Sequence, residues 1–335
     1  MFKKIGIGLL VIALITVASY KLFFDKSPSE NLLKNMSKDL SSYHMEATMD
    51  IINGEDERNF VVKVSYLKQA GEDLFRISLF DKNINQEQLL LRNNDGVFVL
   101  TPTLNQIYKF KSDWPLNSPK PYLYHSIVDV LKGEYDIKNV SDGYIITSLV
   151  EYSSNPNWYK QEVKLSKDYK PLWVQISDKN NTVVVNVTFT MVDMDPTFED
   201  DVFNVDENMK QAKEEMTSQV TSTLDDLPLL PVGADINSSL KESTKATISG
   251  NTKFILTYEG DKNFTIVEQM SSIYDDVTTI EVDGELVELY DGFGVYTSSS
   301  LYYSYNGVDY KIYSNELSVA QLIEIANGMD TVVVK

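Results

Sequence analysis

Glu87–Pro115, EQLLLRNNDGVFVLTPTLNQIYKFKSDWP, is the stretch whose reading decides the fold class. Leu89–Arg92 and Val97–Leu100 are apolar runs separated by Asn93-Asn94-Asp95-Gly96, where Asn and Gly supply the positive φ angles of a tight hairpin turn. Pro102 and Asn105 mark a second turn, and Gln106-Ile107-Tyr108-Lys109-Phe110-Lys111 then alternates polar and apolar as a half-buried antiparallel strand does. The stretch reads as a three-strand meander, and nothing in it has catalytic character.

The same signature extends outward over Tyr43–Ile52, Asn59–Lys68 and Asp73–Phe80 before the meander. After it come Tyr135–Val140, Tyr144–Tyr152, Trp158–Leu165, Pro171–Ser177 and Thr182–Val192. Turn signals at Asn53-Gly54, Gly71, Asp142-Gly143, Asn155-Pro156-Asn157 and Lys179-Asn180-Asn181 separate them. So many strands in succession predict one large antiparallel sheet that curls or closes. Two helices accompany it. Ser27-Pro28-Ser29-Glu30 is a capping box with Leu32, Leu33, Met36 and Leu40 behind it, and Pro119–Gly133 carries Tyr124, Ile127, Val128 and Leu131 at helical spacing. Placed midway through the strands, the second helix is expected to lie in the hollow of the sheet.

Met209, Ala212, Met216, Val220 and Leu224 predict a connecting helix over 207–227, and Pro228 and Pro231 mark a boundary. Beyond it, Thr252–Tyr258, Asn263–Glu268, Thr278–Val282, Glu285–Leu289, Leu301–Tyr305 and Val308–Tyr313 alternate like strands. Asp283-Gly284 and Asn306-Gly307 are hairpin turns, and a helix capped by Ser318 and Gln321 runs to Gly328. The expected class is α+β. Its parts are an N-terminal segment 1–26, a sheet domain 27–206, a connecting helix 207–227 and a small α+β domain 228–335.

Lys3 and Lys4 precede Ile5–Phe24, an apolar run broken only by Thr16, Ser19 and Lys21. At about 1.5 Å per residue the run matches the hydrocarbon thickness of a bilayer, with Ile5, Leu9, Val11, Leu14, Val17, Leu22 and Phe24 as anchor residues. The leading lysines place the N-terminus in the cytoplasm and the bulk of the chain outside a cell membrane crossed once. A signal peptide cleaved near Val17-Ala18-Ser19 is the competing reading, and continuation of the run through Leu22-Phe23-Phe24 favours the anchor. The chain has no cysteine, which removes disulfides, thiolate metal sites, thiol nucleophiles and a lipid-modified cysteine together. Acidic residues number 49 against 30 basic, a net charge of −19, so nucleic acid is excluded as a partner. Residues 207–335 hold 21 acidic residues, 8 lysines and no arginine.

LLLRNNDGVFVLTPTLNQIYKFKSDWP (Leu89–Pro115), YLYHSIV (Tyr122–Val128) and VNVTFTMVDMDPTFEDDVFNV (Val185–Val205) resemble the YdcC-type envelope proteins of spore-forming Gram-positive bacteria. These are distant relatives of the lipoprotein carrier LolA and the stress regulator RseB. Over residues 29–206 the resemblance implies a curved half-barrel with helices in its hollow, and a role in sporulation or spore-envelope assembly. The absent cysteine departs from the lipobox usual in that family. LPLLPVG (Leu227–Gly233) and NGVDYKIYSNELSVAQLIEIANGM (Asn306–Met329) resemble a C-terminal domain of unknown function found on exported Gram-positive proteins, which implies no activity.

The two histidines, His44 and His125, stand at no local spacing from a Ser or Asp that would make a triad, and phosphate loops and zinc helices are absent. The acidic group Asp193, Asp195, Glu199, Asp200 and Asp201 lacks calcium-loop spacing, and Asp81–Asn85 begins like such a loop but has Gln86 and Arg92 where Gly and Glu are needed. No cofactor, metal or catalytic residue is expected, and the oligomeric state is not readable. In Leu89-Leu90-Leu91 and Val97-Phe98-Val99-Leu100, successive residues point to opposite faces, so neither face is plainly wet. Either both faces are covered, or one forms a hydrophobic hollow open to an acyl chain or apolar peptide, as the carrier-type relatives imply. Its candidate lining is Leu89, Leu91, Val97, Val99, Ile107, Phe110, Trp114, Tyr124, Ile127 and Leu131. The expected partner is another envelope protein, or alternatively a lipid or lipoprotein acyl chain.

Overall fold

The computed structural model describes residues 28–37, 40–53, 56–111, 114, 120–152, 155, 157–216, 220–234 and 236–329. The proposed anchor, Ile5 to Phe24, lies outside these residues. Among the described residues no helix is long and apolar enough to cross a membrane.

The architecture is mostly sheet with few helices. Helix α1 (Pro28–Ser37) precedes β1 (Ser42–Asn53), β2 (Asp56–Gln69) and β3 (Glu72–Asp81). The meander follows as β4 (Gln86–Asn93), β5 (Gly96–Thr101) and β6 (Gln106–Phe110), with Asn105 in the left-handed conformation at its second turn. After α2 (Tyr124–Val130) come β7 (Asp136–Val140), β8 (Gly143–Leu149), β9 (Lys160–Ser166), β10 (Pro171–Ser177), β11 (Val183–Asp193) and α3 (Val205–Glu215). The rest holds β12 (Ser238–Ile248), β13 (Asn251–Gly260), β14 (Phe264–Met270), β15 (Thr278–Val282), β16 (Glu285–Leu289), β17 (Gly292–Thr297), β18 (Ser300–Tyr305), β19 (Val308–Tyr313) and α4 (Val319–Asn327).

Two open sheets result. The first has twelve strands in the order β15-β6-β5-β4-β3-β2-β1-β11-β10-β9-β8-β7, and the second has seven, β12-β13-β14-β19-β18-β17-β16. Every pairing is antiparallel except β15 with β6, where a strand from the last third of the chain runs parallel to the end of the meander in the register Thr278↔Gln106 to Val282↔Phe110. The Tyr274 and Thr278 amides donate to the Leu104 and Asn105 carbonyls at 3.2 and 2.9 Å, fixing the approach to that pairing.

One face of the first sheet packs on α1, α2 and four residues from the last third, Val282, Leu286, Tyr290 and Phe293. The opposite face is covered over β4, β5 and β6 by α3, with Met209 and Ala212 against Leu89, Leu91, Phe98, Leu100 and Ile107. The second sheet has its own core, in which Leu322, Ile323 and Ala326 of α4 pack against Leu256, Ile266, Leu301 and Ile312. The α4 start is the expected capping box, with Ser318 and Gln321 exchanging bonds.

Five expectations differ from the structure. The hairpin expected at Asp283-Gly284 does not form, because β15 pairs with β6 of the first sheet while β16 pairs with β17 of the second. The helix expected over 207–227 is confined to Val205–Glu215 and followed by a short 3-10 turn, Leu224–Asp226, because Met216 is extended and the Ser/Thr-rich segment after it favours local side-chain bonds over helix. The inserted helix is only Tyr124–Val130. Strand β12 carries no alternation signal in the sequence, because almost every side chain on this edge strand is exposed. Strand β17 was hidden by Gly292 and Gly294, which read as loop. Gly292 has φ +135°, a conformation that favours glycine, and the end of the Gln88 side chain lies where a Cβ would be.

Glu268 of β14 is 0% exposed. One carboxylate oxygen accepts the Leu229 amide at 2.9 Å and the other has no partner, and burial pushes its pKa up to about 7. A carboxyl that holds its proton more tightly folded than unfolded costs stability as pH rises from about 4.5 to about 7, by on the order of 3 kcal/mol here. Glu268→Gln keeps the acceptor for Leu229 and removes the charge. Urea denaturation at several pH values should find the variant more stable than the parent above pH 7 and equal to it near pH 4.5. Equal stability at both would refute the assignment.

Candidate functional site

The structure divides the ten expected hollow residues between two faces. Val97, Val99, Phe110, Trp114, Tyr124, Ile127 and Leu131 share the core beneath α1 and α2. Leu89, Leu91 and Ile107 point to the other face, under α3. Period-two alternation requires this split, because Leu89 and Leu91 flank Leu90 and Ile107 precedes Tyr108 on their strands.

Side chains fill the α2 side. The His125 ring sits among Tyr43, Tyr66 and Phe75 with centroids 4.5 to 5.6 Å away, and the Tyr43 hydroxyl lies 3.1 Å from His125 Nδ1. Burial holds the His125 pKa below its ordinary value. Trp114 packs edge-on against Phe75 at 4.9 Å, and the Tyr124 hydroxyl donates to the Met36 carbonyl at 3.3 Å. The last third closes this side with paired charges. Lys120, 1% exposed, lies 3.5 Å from Glu288 and over the Trp114 ring, and Arg58 pairs with Asp291. Between the sheets are cavities of about 20 and 30 Å³, lined by Gln88, Thr101, Tyr108, Phe293 and Tyr302 and by Asp81, Gln86, Thr101, Asp291 and Tyr305. Each has room for a water molecule or two, far less than an acyl chain needs.

The outer face carries the open site. A groove of about 640 Å³ lies between α3, the loop after β11 and the sheet, within the range of ligand clefts. Its floor includes a cross-strand row set by register: Asp193 of β11 opposite His44 of β1, His44 opposite Ser65 of β2, and Ser65 opposite Arg76 of β3. His44 Nδ1 is 2.9 Å from Ser65 Oγ and its Nε2 is 3.5 Å from Glu46 Oε1. Arg76 donates to Asn208 of α3 at 2.5 Å. Burial presses its guanidinium pKa down while Glu87 and Glu215 counter that. Asn204 caps α3 by accepting the Glu207 amide at 3.0 Å, which sets Asn208 over Arg76.

Sequence spacing separates His44 from Ser65 by 21 positions, and only the β1–β2 register joins them. The alternation of β1, apolar at Tyr43, Met45 and Ala47 and polar at His44 and Glu46, was the available signal for an outward-facing polar row. The row brings a hydroxyl, an imidazole and a carboxylate together. Ser65 stands inside the ladder between β1 and β3, so the backbone amides around it are spent on neighbouring strands, and acyl transfer needs free ones to hold an oxyanion.

Comparison with known proteins adds one relative by sequence. The chain is 29% identical over 306 residues to the sporulation protein YdcC of Bacillus subtilis (strain 168), covering 89% of this chain and 88% of that protein. The chain is YdcC-like. No protein-family model matches it. Among solved structures, the MucA/MucB complex of Pseudomonas aeruginosa is similar with 13% identity, covering 89% of this chain and 95% of that one at a TM-score of 0.34. A LolA superfamily protein from Nitrosomonas europaea is similar with 8% identity, covering 53% and 98% at a TM-score of 0.28. At those scores the two structures transfer neither a site nor a partner to the YdcC-like chain.

The packed side of the YdcC-like sheet yields a mutational prediction. Ile127→Ala removes three buried carbons from α2 and should cost about 2–5 kcal/mol in urea denaturation. A loss under about 1 kcal/mol would mean that α2 sits in loose rather than close packing.

Proposed function

We propose that this chain is a non-enzymatic, membrane-anchored binding protein of the cell or spore envelope, associated with sporulation and acting through a protein partner. The observation that carries this reading is the likeness to the sporulation protein YdcC along almost the whole of both chains. In this reading residues 5–24 tether the protein, with the N-terminus in the cytoplasm. The rest lies outside the membrane as a LolA-like half-barrel, 27–206, followed by a connecting segment and a smaller C-terminal α+β domain. The filled packing around α2 favours a protein partner over an acyl chain, since Phe75, Trp114, Tyr124 and Ile127 already occupy the side where a chain would lie.

Deleting the gene in the parent organism should lower the yield of heat-resistant spores, and protease added to intact protoplasts should digest the chain down to its first residues. Parental spore counts would end the sporulation reading. Full protection from protease would end the proposed topology. Lipid extraction of the purified full chain should return no stoichiometric acyl ligand, and finding one would move the function to the interior of the sheet.

A further inference from the structure

We infer that the groove on the outer face of the first sheet is the docking site for a short, extended, positively charged peptide segment of the protein partner. This rests on the protein-binding reading above and says where, and by what chemistry, the partner is held. Among the charged residues lining the groove, Glu46, Glu87, Asp193, Asp201, Glu207 and Glu215 face only Lys63 and Arg76. Arg76 lies in the field of Glu87 and Glu215, and Glu207 pairs with Lys210 at 3.6 Å, yet six carboxylates against two lining cations leave the groove in excess negative charge. The whole chain carries −19, so its long-range field draws the same class of partner toward it.

A peptide fits better than an inorganic cation. The carboxylates are spread over β1, β4, the loop after β11 and α3, and no group of three or more acidic or histidine side chains among the described residues is placed to hold a metal. The floor row from Asp193 to Arg76 crosses four neighbouring strands, roughly 14 Å, which is the length of about four extended residues. Phe198 and Pro196 on one wall offer apolar surface to the methylene stems of lysine or arginine, and exposed Gln211 lies on the other.

The test uses the full chain purified in non-ionic detergent and a fluorescein-labelled Gly-Lys-Arg-Lys-Arg-Gly peptide, with peptides carrying Gln or Glu in place of the four basic residues as controls. Fluorescence anisotropy in about 0.15 M salt should show saturable binding of the basic peptide alone. The pair Asp193→Asn and Asp201→Asn should weaken it at least about tenfold, while Glu242→Gln with Glu259→Gln on the distant β12–β13 hairpin, an equal change in charge, should weaken it less than about twofold. Asn at 193 retains the oxygen that accepts the Asp195 amide, and Asp201→Asn alone serves if the pair does not fold. Equal losses from both pairs would overturn the inference by showing attraction to net charge alone. Absence of binding, or equal binding of the Gln peptide, would overturn it as well. Failure of the broader reading is scored separately, by the spore yield of the deletion strain.

Discussion

The parallel pairing of β15 with β6 is the constraint on which the rest of the molecule depends. An unpaired β6 would leave the meander with a bare edge and a row of unsatisfied backbone groups. The pairing covers that edge, and carries Val282, Leu286, Tyr290 and Phe293 onto the core of the first sheet. Charges then follow the backbone. Arg58 meets Asp291, Lys120 meets Glu288, and the Tyr305 hydroxyl donates to Asp81 at 3.1 Å, all between residues more than 150 positions apart. Such pairs are expensive to break one partner at a time, because the remaining charge is left in a poor solvent. Without disulfides, cores and cross-sheet pairs of this kind hold the two sheets together.

The same closure shapes what the protein can bind. Residues that in isolation would line an apolar hollow are covered from three directions, by α1, by α2 and by the last third of the chain. What stays accessible is the opposite face, where α3 covers the apolar half over β4 to β6 and leaves the polar half over β1 to β3 open. The interior is filled and the charged surface is open, which supports the proposed partner-binding role better than carriage of a lipid.

Much of the architecture could be read in advance, because strands declare themselves by alternation and turns by Gly, Asn and Pro. The meander, the long strands before it and the hairpin at Asn306-Gly307 stand where those signals place them, whereas Asp283-Gly284 joins a strand of the first sheet to a strand of the second and closes no hairpin. The site was less legible. Leu89 and Leu91 were grouped with Val97 and Val99 because all four are apolar and adjacent in sequence, yet parity sends the first pair under α3 and the second pair under α2. The groove row was missed because its members lie on four strands, and no spacing along the chain announces a cross-strand register.

By itself the sequence determined that the protein is strand-rich, where most of its strands and turns fall, its acidity and its likeness to YdcC, since composition, periodicity and local turn chemistry act over a few residues and survive without a partner. Tertiary structure alone decided that β15 leaves its neighbours for the first sheet, that β12 forms at an exposed edge, that the apolar side is filled, and that His44, Ser65, Arg76 and Asp193 share one groove. Each of these depends on which distant segments meet, and that is settled by the joint burial of surfaces from both ends of the chain rather than by any local preference.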